Sequence, residues 1–304
     1  MKVLVTGATG YAGFHAAIAL QQSGHQVHGL VHSDSKLRTK ELQRYEVQLA
    51  PGDIREPETY RQHIEDSDVI IHAMMDFESP QESDKKLFQT LKQVAEDTPR
   101  NRLFIYTTGC SIYGKRPEHI MDEATPANPD HALAFRMALE QELFSMALPQ
   151  IRRVVVRPGF MYGLDGKSSV TAMWFQMGEK RKAIYRGDKE KGWSWVHVGD
   201  LARAYVQIAE TPGVLDREVF CLANEQRPTC LEVMQACLKA AGYEGEISFE
   251  EPQKDDKTSV WFNQNEFITS QKACSQLGWM PRHLGVIDNV DVHYMAWKTA
   301  QSIS

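Results

Sequence analysis

KVLVTGATGYAGFHAAIAL, residues 2–20, is the stretch on which the fold turns. Lys2 to Val5 reads as a short buried strand, and Phe14 to Leu20 as an apolar helix. Between them TGATGYAG places glycines at 7, 10 and 13. Each glycine serves a separate physical need. One permits a tight turn, one lets a diphosphate approach the backbone, and one lets the helix pack close to the strand. The start of that helix then offers backbone N–H groups and a partial positive charge to an anion. A glycine-rich structural turn is the plain alternative. Set between a first strand and a first helix, however, the spacing predicts a loop that cradles a dinucleotide.

Outward from this unit, short apolar runs alternate with helix-period stretches. Gln26 to Val31, Val69 to Ala73, Leu103 to Tyr106 and Arg153 to Val156 read as further buried strands, with helices such as Pro80 to Ala95 between them. Such alternation predicts an α/β fold, a Rossmann-type doubly wound parallel sheet. Segments 163–194 and 221–285 look loop-rich, while Trp195 to Thr211 returns to the core as a helix led by Asp200. The expected division is therefore a dinucleotide-binding domain over 1–162 and 195–220. A smaller, discontinuous substrate-covering region takes 163–194 and 221–304.

Bulk properties narrow the function. The 304 residues carry 34 basic and 40 acidic side chains, a balance that gives nucleic acid no electrostatic footing. No apolar run approaches the ~20 residues of a membrane span, and no signal-peptide pattern opens the chain. Five cysteines form no CxxC pair, which suits free thiols in a reducing cytoplasm, the expected location. No His/Cys/Asp/Glu spacing suggests a metal site.

TGATGYAG, GDIRE (52–56), the IYG at 112–114, RPGFMYG (157–163), WVHVGDLARAYV (195–206) and the tail LGWMPR (277–282) occur in one order along the chain. In these motifs it resembles the extended and atypical short-chain dehydrogenase/reductases, the superfamily of the NAD-dependent epimerase/dehydratases. The resemblance implies that Asp53 and Ile54 flank the adenine. It implies that the backbone of His72, Ala73 and Met74 lines the ribose side, and it adds Thr6, Thr9, Tyr11, Thr107, Pro158 and Gly159 to the cofactor set.

The choice of dinucleotide rests on the end of the second strand, HQVHGLVH. An acid there binds the ribose 2′-hydroxyl of NAD, but the family's acidic position falls on Val31. His32, Ser33, Lys36 and Arg38 follow, a cluster suited to a 2′-phosphate. NADP(H) is therefore favoured over NAD(H). Asp34 is the competing reading, and a solvated helix start is the bland one for Lys36 and Arg38.

The same resemblance exposes a departure. The family carries a Ser or Thr four residues before the tyrosine of its YG pair, and a Tyr-x-x-x-Lys on the next helix. In TTGCSIYG (107–114) the first position is Gly109, leaving Thr108 or Ser111 to supply a hydroxyl. In HALAFRMALEQELF (131–144) the lysine position is Arg136 and the tyrosine position Ala132. Arginine can hold ribose hydroxyls but does not trade protons. Thr108, Tyr113 and His131 remain as catalytic candidates, His131 because imidazole titrates near neutrality. Tyr162, His197, Trp193 and Trp195 read more readily as structural, and the methionines near the expected cleft as core or as an adaptable apolar lining.

Three functions stay open. The first is an NADP(H)-dependent oxidoreductase acting on a small, fairly apolar carbonyl or activated double bond. The second is a non-catalytic dinucleotide-binding sensor or structural subunit, and the third a nucleotide-sugar epimerase/dehydratase. The expected partners are a small-molecule substrate and a second copy of the chain. The homodimer would be joined through helices at 80–95 and 132–147, with Leu87, Phe88, Leu91, Val94, Phe135, Leu139, Leu143 and Phe144 facing the partner copy, although apolar residues at this spacing equally suit packing on the sheet.

Overall fold

A computed structural model describes residues 1–32, 36–114, 119–128, 133–211, 215–252 and 263–303. The chain begins with β1 (Lys2–Thr6), α1 (Tyr11–Gln22), β2 (Gln26–Val31), α2 (Lys36–Arg44) and β3 (Gln48–Pro51). It continues through α3 (Arg61–Asp66), β4 (Val69–His72), α4 (Pro80–Asp97) and β5 (Arg102–Thr107). Then come α5 (Ala134–Ser145), β6 (Ile151–Pro158), β7 (Phe160–Tyr162), α6 (Val170–Glu179) and β8 (Ala183–Arg186). The remainder is β9 (Trp195–His197), α7 (Val198–Glu210), β10 (Glu218–Leu222), α8 (Cys230–Ala240), β11 (Ile247–Glu250), α9 (Gln271–Leu277) and α10 (Val290–Ile303).

Seven strands form one sheet in the order β10-β6-β5-β4-β1-β2-β3. The pairs from β3 across to β6 are all parallel. β4 and β5 are buried at every residue, as strands covered by helices on both faces must be. The expected sheet is thus present, with two strands that the sequence pattern does not announce. β3 lies at one edge and buries only Ala50 of its four residues. β10 lies at the other edge.

The chain divides into two compact units. The first comprises 1–108, 135–157 and 201–220, and the second 109–134, 158–200 and 221–304. Residues 109–134, 158–162 and 195–200 thereby cluster with the second unit, not with the sheet to which the sequence boundaries joined them.

In the first unit α4 buries Leu87, Phe88, Leu91 and Val94 at three-to-four spacing, in one core with Phe104, Tyr106, Leu139 and Leu143. Of the apolar side chains expected to meet a second copy, Leu87, Phe88, Leu91, Val94, Leu139 and Leu143 are at most 1% exposed within a single chain, and Phe135 and Phe144 are half-buried against the same core.

The second unit corrects the loop-rich expectation with three helices, α6, α8 and α9. α8 opens with a complete capping box, in which the Thr229 hydroxyl accepts from the Glu232 N–H while Glu232 accepts from the Thr229 N–H. Trp193 and Trp195 are 3% and 0% exposed, Trp193 stacked on Phe160 at 4.1 Å, so both are core. The tail motif docks on Asp200: its carboxylate accepts the N–H groups of Arg282 and His283, and Trp279 donates to its carbonyl. His197 accepts the Gly199 N–H and stacks on His283, a structural use of the ring. Tyr162 donates to the Leu284 carbonyl at 2.5 Å.

Cys110, Cys221, Cys230 and Cys237 are buried free thiols, and Cys274 is half-buried. Among the described residues no helix is long and apolar enough to cross a membrane. Nor does any group of three or more His, Cys, Asp or Glu there have the arrangement to hold a metal.

If α4 packs inward as described, Leu91→Ala should cost about 2–5 kcal/mol, the range for emptying a core leucine site. Lys92→Ala, one residue along on the exposed face, should stay within about 0.5 kcal/mol of the parent. Urea denaturation followed by circular dichroism checks both. Equal effects would mean that α4 is turned differently.

Candidate functional site

The glycine loop owes its shape to crowding. Gly7 sits at φ 74°, and a β-carbon there would lie 2.7 Å from both the Ala73 carbonyl oxygen and the Met74 β-carbon. A β-carbon on Gly13 would lie 2.3 Å from the Gly7 carbonyl oxygen. The Gly10 N–H closes the turn on that same oxygen at 2.8 Å. Gly10 caps α1 without any side-chain hydrogen bond, and the first turn of α1 holds no acid. No protein carboxylate therefore offsets the helix dipole from that turn. This fits the diphosphate of a dinucleotide.

The loop opens into a groove of about 400 Å³ within the first unit. Gly7 and Thr9 line one part of it, Leu30 and His32 from the end of β2 another, and Gly52, Asp53, Ile54 and Arg55 a third. Met74, Met75, Asp76, Phe77 and Glu78, which follow β4, complete it. Asp53 is gripped by Arg55 through three guanidinium contacts at 2.6, 3.0 and 3.2 Å and through the Arg55 N–H. The Arg55 hydrogen bonds pull its carboxyl down to about 2. His32 Nε2 lies 3.5 Å from the same carboxylate.

Of the expected cofactor residues, Gly7, Thr9, His32, Asp53, Ile54 and Met74 thus share one groove. Tyr11, Gly13 and Ala73 are buried beside the loop. The Arg38 guanidinium stacks 4.0 Å over the Phe14 ring of α1. Ser33 and Asp34 lie outside the described residues, as does the side chain of Lys36. Pro158 and Gly159 belong to the second unit, where a β-carbon on Gly159 would lie 2.5 Å from the Ser194 carbonyl oxygen.

Behind the loop runs a buried polar chain that the sequence did not reveal. The Thr6 hydroxyl meets His72 Nδ1 at 2.7 Å, His72 Nε2 meets Asp84 at 3.1 Å, and Tyr106 donates to the other Asp84 oxygen. Burial opposes charge on Asp84, yet bonding to His72 and Tyr106 and the charge of Arg136 bring its carboxyl below the usual range. The side chains of Thr6 and His72 are therefore engaged inside the core, and only their backbone is left to face a ligand. Thr107 likewise turns its hydroxyl to Tyr205 at 2.7 Å. Arg136, 5% exposed, donates to the Thr107 carbonyl at 3.1 Å.

The hydroxyl candidates for proton transfer fare differently from expectation. Thr108 donates to Glu140 Oε1 at 2.6 Å, and that carboxylate is bound by Arg157. Its proton points into a buried ion pair. In the second unit Ser111 donates to Glu266 Oε2 at 2.5 Å, while Gln264 donates to Oε1 at 2.7 Å. Tyr113 is fully buried and donates to the Asp122 carbonyl at 2.7 Å. The Thr108 and Tyr113 hydroxyls, both named as catalytic candidates, thus donate within their own units in this structure. His131 and Ala132 lie outside the described residues.

The sequence profile described as the NAD dependent epimerase/dehydratase family matches residues 3–222. An uncharacterized protein of Saccharomyces cerevisiae is 23% identical over 97% of this chain and 99% of its own length. A ketoreductase of Stigmatella aurantiaca that acts on 4-hydroxy-2-methyl-3-oxo-4-farnesyl-3,4-dihydroquinoline-1-oxide is 25% identical over 81% of this chain and 75% of its own. The crystal structure of UDP-glucose 4-epimerase from Thermotoga maritima superposes with a TM-score of 0.82, covering 99% of this chain and all of that one, at 20% identity. At that identity the likeness is one of fold.

Glu266 gives this geometry a test. Burial raises its carboxyl from 4.5 to about 7, against the hydrogen bonds of Gln264, Ser111 and Cys110. Between those values the folded chain holds a proton that the unfolded chain has released. Its contribution to stability is full below about 4.5 and is lost as pH rises through about 7. Glu266→Gln should therefore flatten the fall in Tm across that window. An unchanged slope would show that the carboxyl titrates as an exposed one does.

Proposed function

We propose, for a chain that belongs to the NAD dependent epimerase/dehydratase family, that it is a nicotinamide-dinucleotide-dependent oxidoreductase of small, fairly apolar carbonyl or activated double-bond compounds. One observation carries the reading. Gly7 and Thr9 of the glycine loop and Asp53 line a single groove of one unit, and the helix into which that loop leads starts without a side-chain cap. When bound, the dinucleotide supplies hydride exchange at its nicotinamide. The residues of the chain do the rest. Gly7, Gly10 and Gly13 admit the diphosphate, and Asp53 accepts from the adenine amine. Arg136 donates its remaining guanidinium N–H groups to the nicotinamide ribose, as lysine does in the pattern this helix resembles. The ketoreductase among the relatives supports carbonyl reduction.

Since the Thr108 proton points at Glu140, the proton that accompanies hydride is assigned to His131 or to water. The missing tyrosine-lysine pair, with Ala132 and Arg136 in its place, is part of the proposal. NADP(H) is the proposed cofactor, held at its 2′-phosphate by His32, Ser33, Lys36 and Arg38. NAD(H) is the alternative, and the groove speaks for it: Asp53, Asp76 and Glu78 line it with Arg55 as their counter-charge, which repels a further phosphate.

A second reading is a non-catalytic dinucleotide sensor. It is favoured by the engagement of the Thr108, Ser111 and Tyr113 hydroxyls elsewhere. A nucleotide-sugar epimerase has support from the Thermotoga maritima fold and is weakened by Gly109 and Ala132.

Titration calorimetry with NADP(H) and NAD(H) at fixed ionic strength tests the cofactor. Gly10→Asp should abolish binding by setting a carboxylate against the diphosphate, and Arg136→Ala should weaken it by about 1–3 kcal/mol, the scale of a hydrogen bond to a charged group. Wild-type affinity in both variants would overturn the assignment. Tight binding without turnover on a carbonyl panel would leave the sensor. Loss of turnover with retained binding in His131→Phe would identify the proton donor.

A further inference from the structure

Among the described residues of the first unit, one large apolar side chain stands almost wholly in solvent. Phe77 is 87% exposed, yet it lines the groove alongside Leu30, Ile54 and Met74. An aromatic ring held in water at the mouth of an apolar slot is poised to cover a flat, apolar face.

The loop that carries it is fastened on both sides. Asp76 accepts from the Glu78 N–H at 3.0 Å and from the Ser79 and Ser83 hydroxyls at 3.1 and 2.7 Å. Those bonds tie the turn to the start of α4 and hold the Asp76 carboxyl below its ordinary range, the Ser83 bond most of all. On the far side Glu78 meets Arg55 at 3.5 Å, and Arg55 in turn grips Asp53. Phe77 is thus the tip of a short flap whose base is hydrogen-bonded to the start of α4 and whose outer side carries an exposed ion pair, a weak contact in water.

We propose that Phe77 is a binding residue of the dinucleotide site, closing over the adenine ring as a stacking lid. The inference rests on the dinucleotide reading above. Asp53 fixes where the base edge lies, since both it and Phe77 line the same groove. The ring then supplies a face that any purine can use, and no hydrogen bond is required of it. Closure covers Phe77 and excludes water from the Asp53–Arg55 pair. The tip of the flap is the part of the groove the sequence left unread, because DFES (76–79) carries no family motif.

The first unit contains no tryptophan, since all six lie at or beyond position 174 outside residues 201–220. Phe77→Trp therefore places a lone indole in that unit. AMP and ADP-ribose should quench its emission, measured against the wild-type baseline, with affinities close to those of the parent. Phe77→Ala should bind AMP, ADP-ribose and the whole dinucleotide about ten-fold more weakly at an unchanged Tm, and Phe77→Tyr should restore them. Unaltered AMP affinity in Phe77→Ala, or an introduced indole that AMP does not quench, overturns the lid. If Gly10→Asp then still removes dinucleotide binding, the cofactor assignment stands without the lid. If wild-type protein binds none of these adenine ligands, both fall together.

Discussion

The Gly7 carbonyl oxygen is where the first unit is most crowded. Gly10 hydrogen-bonds to it, and a β-carbon on Gly13 would lie 2.3 Å away. Because helix and loop share this oxygen, α1 can approach the loop only if position 13 carries no side chain, and the chain after β4 can approach it only if position 7 carries none. The approach of α1 buries Ala12, Phe14, Ala16, Ala17 and Leu20 against the sheet. It also sets the start of the helix directly behind Gly7 and Thr9, which line the groove. A methyl group at 13 would push the helix off the loop, and one at 7 would press on Ala73 and Met74 after β4, so the anion site would move with either. The fold's first crossover and its ligand geometry are therefore one constraint.

The polar chain behind the loop carries this constraint sideways. Thr6 ends β1, His72 ends β4, Asp84 belongs to α4 and Tyr106 to β5, so one set of hydrogen bonds fixes neighbouring elements at the edge of the groove. A buried carboxylate is costly unless each oxygen has a donor, and Asp84 has one on each. A network of this kind tolerates few alternative placements of its members. It accounts for a well-defined wall beneath a loop made of glycine, alanine and threonine.

Much of this architecture was readable in the sequence, and the exceptions have physical causes. β1, α1 and the central strands announced themselves because both sheet faces are covered, which demands unbroken apolar runs. β3 did not, since an edge strand of four residues that buries only Ala50 has no such demand. Cys230, Val233, Met234, Cys237 and Leu238 do follow a helix period behind Thr229 and Glu232, a signal present in the sequence but outweighed by the polar stretches around it. For the site, glycines and GDIRE were legible because what they do is local. The carboxylates that take up the hydroxyl protons were not: Glu140 is 32 residues from Thr108 and Glu266 is 155 from Ser111. Neither distance leaves a mark in a linear pattern. The flap that follows Met74 is legible only once Asp76 is seen to tie it to α4.

The thiols are unevenly placed. Cys110, Cys221, Cys230, Cys237 and Cys274 all fall in segments of the second unit, and none in the first. Four are buried, and burial raises the thiols of Cys110, Cys230 and Cys237, so a soluble alkylating reagent reaches them only when that unit opens. Half-buried Cys274 marks the start of such a reaction, and the buried four record the opening rate. Mass spectrometry of alkylated chains would thus time the breathing of one half of the molecule while the other half, which binds the dinucleotide in our reading, stays chemically silent.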